Sequence, residues 1–333
     1  MKTKAAVLRE VNKPLVLEEL DLPKLLSGQV LVKVLCSGLC HSQLNEIKGW
    51  KGREFIPHLM GHEASGIVIE VGEGVEKVKE DDYVAISWIK GAGLDLHPPV
   101  YRSPQGKVNA GSSATFAEYA IVSENRVVKI PESVEPYVAS ILGCAVLTGM
   151  GIIDRLDICD KSKVIVFGIG GVGASSLMRI QSLFPDIHCV AVDPLTWKLE
   201  WAKKELGVNE TRDPSEELQG FDLAIECSGS KSAMEKAFEC LNDKGTAVIA
   251  GNIGPGEKIS IVPFDLLKGK KIVGSWSGGC FIDNDIPFYV SLYLARRLPL
   301  KKLITKIYPF EKVNKGLDDL RSGSLIRGVL KIS

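Results

Sequence analysis

The sequence has 333 residues, with 41 Lys+Arg against 41 Asp+Glu, 45% hydrophobic residues, 33 glycines and eight cysteines. At about 150 residues per domain this is enough chain for two domains, and a chain near 300 residues buries about 75% of its unfolded surface. A formal net charge of zero excludes the basic footprint of a nucleic-acid binder and a polybasic membrane surface, and points to a small-molecule partner.

The longest apolar runs, Cys144 to Ile153 and Val164 to Ala174, reach about half of the ~18 to 20 residues that cross a bilayer and are broken by glycine, so no membrane span is expected. Met1 to Glu10 lacks the apolar core of an export signal. A cytoplasmic chain keeps its cysteines reduced, most of them packed as small hydrophobes.

In chain order, Gln29 to Leu35, Ala64 to Val71 and Thr115 to Val122 are rich in β-branched and aromatic residues and predict strands. Turn signals follow at Gly72-Glu73-Gly74 and Gly111-Ser112-Ser113. From about residue 161 strands alternate with helices, as in βαβ units feeding a parallel sheet. The strands are Lys163 to Phe167, His188 to Val192, Phe221 to Glu226, Thr246 to Ala250 and Lys271 to Ser275; the helices are Ala174 to Phe184, Leu195 to Leu206, Lys231 to Leu241 and Val262 to Leu267. Past Gly278-Gly279 the alternation stops, and a tail with a helix and short strands at Lys306 to Tyr308 and Gly328 to Ile332 is expected to rejoin the first domain.

Gly168-Ile169-Gly170-Gly171-Val172-Gly173 has the Gly-x-Gly-x-x-Gly spacing between a strand and a helix, and Asp193 closes the next strand 20 residues after the last glycine. The first glycine permits the tight turn, the second lets the backbone approach a pyrophosphate, and the third lets helix pack on strand. The helix N-terminus supplies N–H donors. A carboxylate at Asp193 accepts hydrogen bonds from a ribose and repels a 2′-phosphate, which favours NAD over NADP.

Cys40, His62 and Cys144 stand apart from the other cysteines and histidines. Two thiolates and an imidazole form a three-ligand zinc set with a fourth position left for water or substrate. Their spacings of 22 and 82 residues leave open whether they converge or are three unrelated buried residues.

The strings GLCHS, GHEASGIVIEVGEGV, GCAVLTG, VIVFGIGGVGASS, ECSG, GSWSGG and IRGVL, in this order, resemble the zinc-dependent medium-chain alcohol dehydrogenases over nearly the whole chain. The resemblance implies an α/β fold: a GroES-like β-rich catalytic domain over 1–147, a Rossmann doubly wound parallel sheet over 148–276, and a return to the catalytic domain over 277–333. It implies that Cys40, His62 and Cys144 bind one catalytic zinc per chain, with Glu63 beside them as an occasional ligand. Ser42 matches the hydroxyl that contacts the substrate alcohol, Lys198 a lysine at the adenosine ribose, Arg327 an arginine at the pyrophosphate and His41 a further basic contact. Trp88 matches a substrate-wall position and is equally well read as a core aromatic. The implied activity is hydride transfer between NAD(H) and an alcohol or polyol, or its carbonyl counterpart, in a homodimer or homotetramer paired through the Lys271 to Ser275 edge.

Three departures stand out. Relatives often carry a structural zinc on four cysteines after the Val84 to Trp88 strand, whereas Lys90 to Asn109 contains none; Asp95 and His97 there read as solvated loop residues, with prolines and local packing holding the lobe. Gln43 stands in place of an acid beside the ligating histidine, and its amide can still accept a hydrogen bond from the imidazole. Asn45 stands in place of a relay histidine, which implies proton release directly to water. The remaining cysteines (36, 159, 189, 227, 240 and 280), with His58 and His188, read as packing or edge residues. Two other functions are open: a reductase of a phosphorylated or nucleotide-linked sugar, favoured by a pocket lined with Lys90 or Arg102, and a non-catalytic NAD-binding scaffold, which would have no use for the thiols and Ser42.

Overall fold

β-Branched runs punctuated by turn residues form the strands of the first 130 residues. The structure, a computed structural model, describes residues 1–333. In chain order come β1 (Lys2–Leu8), β2 (Val16–Asp21), β3 (Gln29–Leu39), the helix α1 (His41–Ile47), β4 (His58–Leu59), β5 (Ala64–Val71), β6 (Tyr83–Ile86), β7 (Val100–Ser103), β8 (Gly106–Ala110), β9 (Tyr119–Ser123) and β10 (Val127–Lys129). Strands β1, β2, β7, β8 and β4 close into a small barrel around Leu20, Leu59, Tyr101 and Val108.

The helices α2 (Pro136–Ala139) and α3 (Leu147–Asp154) flank a π turn at Leu142–Val146. Together Pro136–Asp154 is 19 residues long and its most apolar 18-residue window has mean hydropathy 1.8, enough by length and composition to cross a membrane. This corrects the expectation that no stretch approaches that length. Glycines 143, 149 and 151 do not end the helix, because tertiary packing outweighs their propensity cost. The segment is 89% buried within the protein and behaves as a core helix.

Next come β11 (Lys163–Phe167), α4 (Gly171–Leu183), β12 (His188–Val192), α5 (Thr196–Trp201), β13 (Glu210–Arg212), β14 (Phe221–Glu226), α6 (Lys231–Glu239), β15 (Leu241–Ile249), α7 (Pro263–Leu267) and β16 (Lys271–Gly274). The sheet order β13-β12-β11-β14-β15-β16 reverses direction at β11, the doubly wound arrangement in which ligands bind outside the strands' carboxyl ends. Its core is Ile165, Phe167, Val190, Val192, Ala224 and Phe238, the buried strand faces packed against helices.

The chain then makes α8 (Ile282–Leu294), β17 (Ile304–Pro309), α9 (Val313–Arg321) and β18 (Arg327–Lys331). Strand β18 inserts between β3 and β17 in a sheet of order β10-β6-β5-β3-β18-β17, with β9 also on β3. The chain divides into two compact units, Met1–Ala145 with Phe281–Ser333, and Val146–Cys280.

The cysteine-free lobe after β6 is held by hydrogen bonds and by its own hairpin. Strands β7 and β8 pair within the barrel and bury Tyr101 and Val108. Ahead of them, the buried Glu124 carboxylate accepts N–H groups from Glu76 (2.6 Å), Lys77 (2.9 Å) and Leu94 (2.8 Å). Asp95 pairs with Lys90 at 2.6 Å and lies 3.6 Å from Arg126, so it is committed to cations.

Burial alone would raise the Glu124 carboxyl, but the N–H groups of Leu94, Glu76 and Lys77 outweigh it and hold the group below the usual carboxylate range. Such a group stabilises the fold above the unfolded-state value of about 4.3, and the contribution is lost as pH falls through the folded value. Glu124→Ala should therefore lower the urea-unfolding free energy at pH 7 by about 3 kcal/mol. The deficit relative to wild type should shrink below about pH 4; an unchanged midpoint at pH 7 would show that the lobe is held by something else.

Candidate active site

Three distant segments converge in the first unit. Cys40 follows β3 as the N-cap of α1, His62 sits in the turn between β4 and β5, and Cys144 lies inside the π turn. A π turn adds a residue to the helical repeat and re-aims the side chains it carries. Gly143 allows this one to press against β6, since a Cβ there would fall 2.1 Å from the Ile86 carbonyl oxygen. Ser87 Oγ donates to the Gly143 carbonyl at 2.6 Å and fixes the approach.

The ligand atoms of Cys40, His62 and Cys144 lie within 4.8 Å of one another. The sulfurs are 3.9 Å apart, close to the ~3.8 Å edge of a tetrahedron with metal–sulfur bonds of about 2.3 Å. His62 Nε2 is buried without a hydrogen-bond partner, while Nδ1 faces Ser42 Oγ at 3.1 Å and Gln43 Nε2 at 2.6 Å. Two soft sulfurs and one unpartnered imidazole nitrogen fit zinc. The Cys144 hydrogen bond lowers the Cys40 pKa against the effect of burial, with His62 and Arg327 assisting, and the Cys40 hydrogen bond together with burial raises Cys144.

Ser42, half-buried in the first turn of α1, is within hydrogen-bond reach of His62. Trp88 is close enough to Cys144 to favour its thiolate, which places its indole at the cluster. Glu63 does not join the three ligand atoms. It is fully buried and its carboxylate forms an ion pair with Arg327, itself 3% exposed, so the two side chains read from sequence as a ligand and a pyrophosphate contact are engaged with each other. His41 is the exposed first residue of α1. Gln43 departs from expectation. Its Oε1 accepts the Cys40 N–H at 2.7 Å, so the group presented to His62 is the amide NH2 and not the carbonyl.

In the second unit the glycine-rich turn joins β11 to α4. Gly168 has φ +86° and packs within 2.8 Å of Ser228 atoms at its Cβ position, and a Cβ on Gly173 would fall 2.0 Å from the Gly168 carbonyl oxygen. Gly170, the α4 N-cap, has nothing within 4 Å of its Cβ position. A closed turn with an open middle at a helix N-terminus is the cradle a pyrophosphate needs. Gly171 and Val172 open the helix. Asp193 accepts the Ile169 N–H at 2.8 Å and the Leu195 N–H at 3.0 Å, which ties the end of β12 to the turn. Lys198 Nζ is 4.0 Å from Asp193, and burial lowers its pKa with Asp193 opposing.

Sequence reading missed Glu226, the last residue of β14. Its Oε1 accepts from Ser228 N–H (2.7 Å), Ser228 Oγ (2.5 Å) and Gly229 N–H (2.9 Å), and burial raises its pKa. The turn it organises packs on Gly168. The available signal was an acid ending an otherwise apolar strand next to the ECSG string.

Two family models match, "Alcohol dehydrogenase GroES-like domain" over residues 26–132 and "Zinc-binding dehydrogenase" over residues 186–294. The chain is 31% identical to S-(hydroxymethyl)glutathione dehydrogenase of Synechocystis sp., with 99% of this chain and 100% of the relative covered. It is also 31% identical to alcohol dehydrogenase 1 of Pisum sativum, covering 100% and 97%. Among solved structures, benzyl alcohol dehydrogenase from Acinetobacter calcoaceticus superposes with TM-score 0.89 at 26% identity, covering 100% of both chains. An alcohol dehydrogenase zinc-binding domain protein from Burkholderia ambifaria superposes with TM-score 0.91 at 26% identity, covering 100% of this chain and 99% of the other. With that identity sustained along whole chains, the protein belongs to the zinc-dependent medium-chain alcohol dehydrogenases and is an oxidoreductase acting on CH–OH donors.

Proposed function

We propose that the protein is an NAD-dependent dehydrogenase with one catalytic zinc per chain, acting on simple apolar or aromatic alcohols or reducing their carbonyl counterparts. The observation that carries this reading is the Cys40, His62 and Cys144 cluster with the Ser42 hydroxyl and the Trp88 indole beside it. Zinc on these three ligands supplies Lewis acidity to an alcohol oxygen, and a nicotinamide supplies the hydride acceptor. Ser42 Oγ would relay the alcohol proton, accepting it as its own hydroxyl proton is passed on. Asn45, which cannot carry a proton onward, leaves water as the next acceptor. Asp193 faces the ribose and disfavours a 2′-phosphate, with Lys198 beside it. Gly168, Gly170, Gly171, Val172 and Gly173 receive the pyrophosphate and the exposed His41 is a basic cofactor contact, whereas Arg327 is taken up by its ion pair with Glu63.

The wall offered by Trp88 favours an apolar substrate. Of the cations that would favour a phosphorylated or nucleotide-linked sugar, Lys90 is paired with Asp95 and Arg102 lies on the β7–β8 hairpin opposite Lys107. The benzyl alcohol specificity in the name of the similar Acinetobacter enzyme agrees with this choice.

The eight cysteines are all free thiols, in keeping with a reducing cytoplasm. Strand β16 is an edge of its sheet, and Leu267 (82% exposed) and Trp276 (76% exposed) flank it. An uncovered edge of this kind pairs readily, which supports a homodimer, or a homotetramer built from it, through this strand.

An NAD-coupled rate screen should give kcat/KM for benzyl alcohol at least about ten-fold above polyols and sugar phosphates; the reverse order would overturn the substrate reading. Metal analysis should find about one zinc per chain, and Cys144→Ser should lower its retention about ten-fold or more and abolish turnover while NAD affinity stays unchanged. Asp193→Gly should shift the NADP/NAD preference by about ten-fold toward NADP, equivalent to about 1.4 kcal/mol. An unchanged ratio would remove Asp193 from cofactor choice.

A further inference from the structure

The Gln43 carboxamide stands between two groups whose demands change when a metal arrives. Its Oε1 is committed to the Cys40 N–H at 2.7 Å, which turns Nε2 toward His62 Nδ1 at 2.6 Å. Gln43 is fully buried, and an amide NH2 can only donate. In this arrangement Nδ1 carries the lone pair, so the ring proton of a neutral His62 sits on Nε2. Nε2 is the buried nitrogen without a partner, the one left for a metal. A metal there needs the lone pair on Nε2 and places the proton on Nδ1. Two N–H groups would then face each other across 2.6 Å. Ser42 Oγ, 3.1 Å from Nδ1, both donates and accepts and so adapts to either tautomer, but it does not relieve the clash at Gln43.

We infer that Gln43 is a positioning residue that favours the metal-free tautomer of His62 and makes zinc readily exchangeable. Zinc uptake turns the Gln43 carboxamide over, giving Oε1 to His62 Nδ1–H and leaving the Cys40 N–H without its acceptor. A carboxylate at this position would accept from both groups at once, with no rearrangement. The inference rests on the zinc reading above and concerns how tightly this chain holds the ion.

The experiment is competition for zinc between the full-length protein and a chromophoric chelator, for wild type and Gln43→Glu. The variant should hold zinc about ten-fold more tightly, whereas a role confined to packing or to capping α1 predicts equal or weaker retention. Equal or weaker retention overturns the inference. A second measurement needs no variant: on zinc loading, hydrogen exchange at the Cys40 amide of wild type should quicken while its neighbours slow, and slowing of Cys40 along with them overturns the inference. A wild-type protein that takes up no zinc overturns the zinc reading itself, a result distinct from zinc bound equally well by both proteins.

Discussion

The antiparallel ladder between β3 and β5 sets the distance on which the site depends. Its register pairs Ser37 with Ala64, so continuing one strand forward and the other back brings Cys40 toward His62. The same junction is tied by Ser37 Oγ donating to the Glu63 carbonyl at 2.7 Å, with Thr115 Oγ1 2.8 Å from that hydroxyl. A slip of one residue would invert every side chain of β3 relative to the core, and Val30, Val32 and Val34, all fully buried, oppose such a slip. The hydrophobic alternation that forms the sheet is thus also what positions two of the three ligands.

Cys144 comes from a different kind of constraint. Its segment is helical and apolar, and nothing in its composition announces a π turn. Periodicity nevertheless revealed most of the architecture. The strands from Lys163 to Phe167, His188 to Val192 and Phe221 to Glu226 read correctly because strands buried on both faces are nearly uniform apolar runs. β13, three residues of mixed polarity at the sheet edge, left no such trace. The helix from Leu195 onward reads as one element but closes through a π turn at Ala202–Leu206, a hydrogen-bonding choice that pattern alone does not encode.

Within the site, the identity of the ligands was legible through motif strings, and their convergence was not. Residues 22 and 82 positions apart meet only because β3, the β4–β5 turn and the π turn share one neighbourhood. The orientation of Gln43 was also hidden, since an amide offers a donor and an acceptor at opposite ends. Which end faces His62 is decided by the Cys40 backbone. Glu124 is a comparable case: as a side chain it looks like an ordinary acid at a strand end, but three backbone donors from two loops converge on it and hold a lobe that contains no thiol.

The Glu63–Arg327 pair joins the segment that bears His62 to a strand contributed by the far end of the chain. Both side chains are almost wholly removed from solvent, where an isolated charge is far more costly than a matched pair or a pair of apolar residues. Neither position can drift alone. Across related sequences the two should therefore change together or not at all, and Arg327 inherits the tempo of substitution of the metal-binding turn.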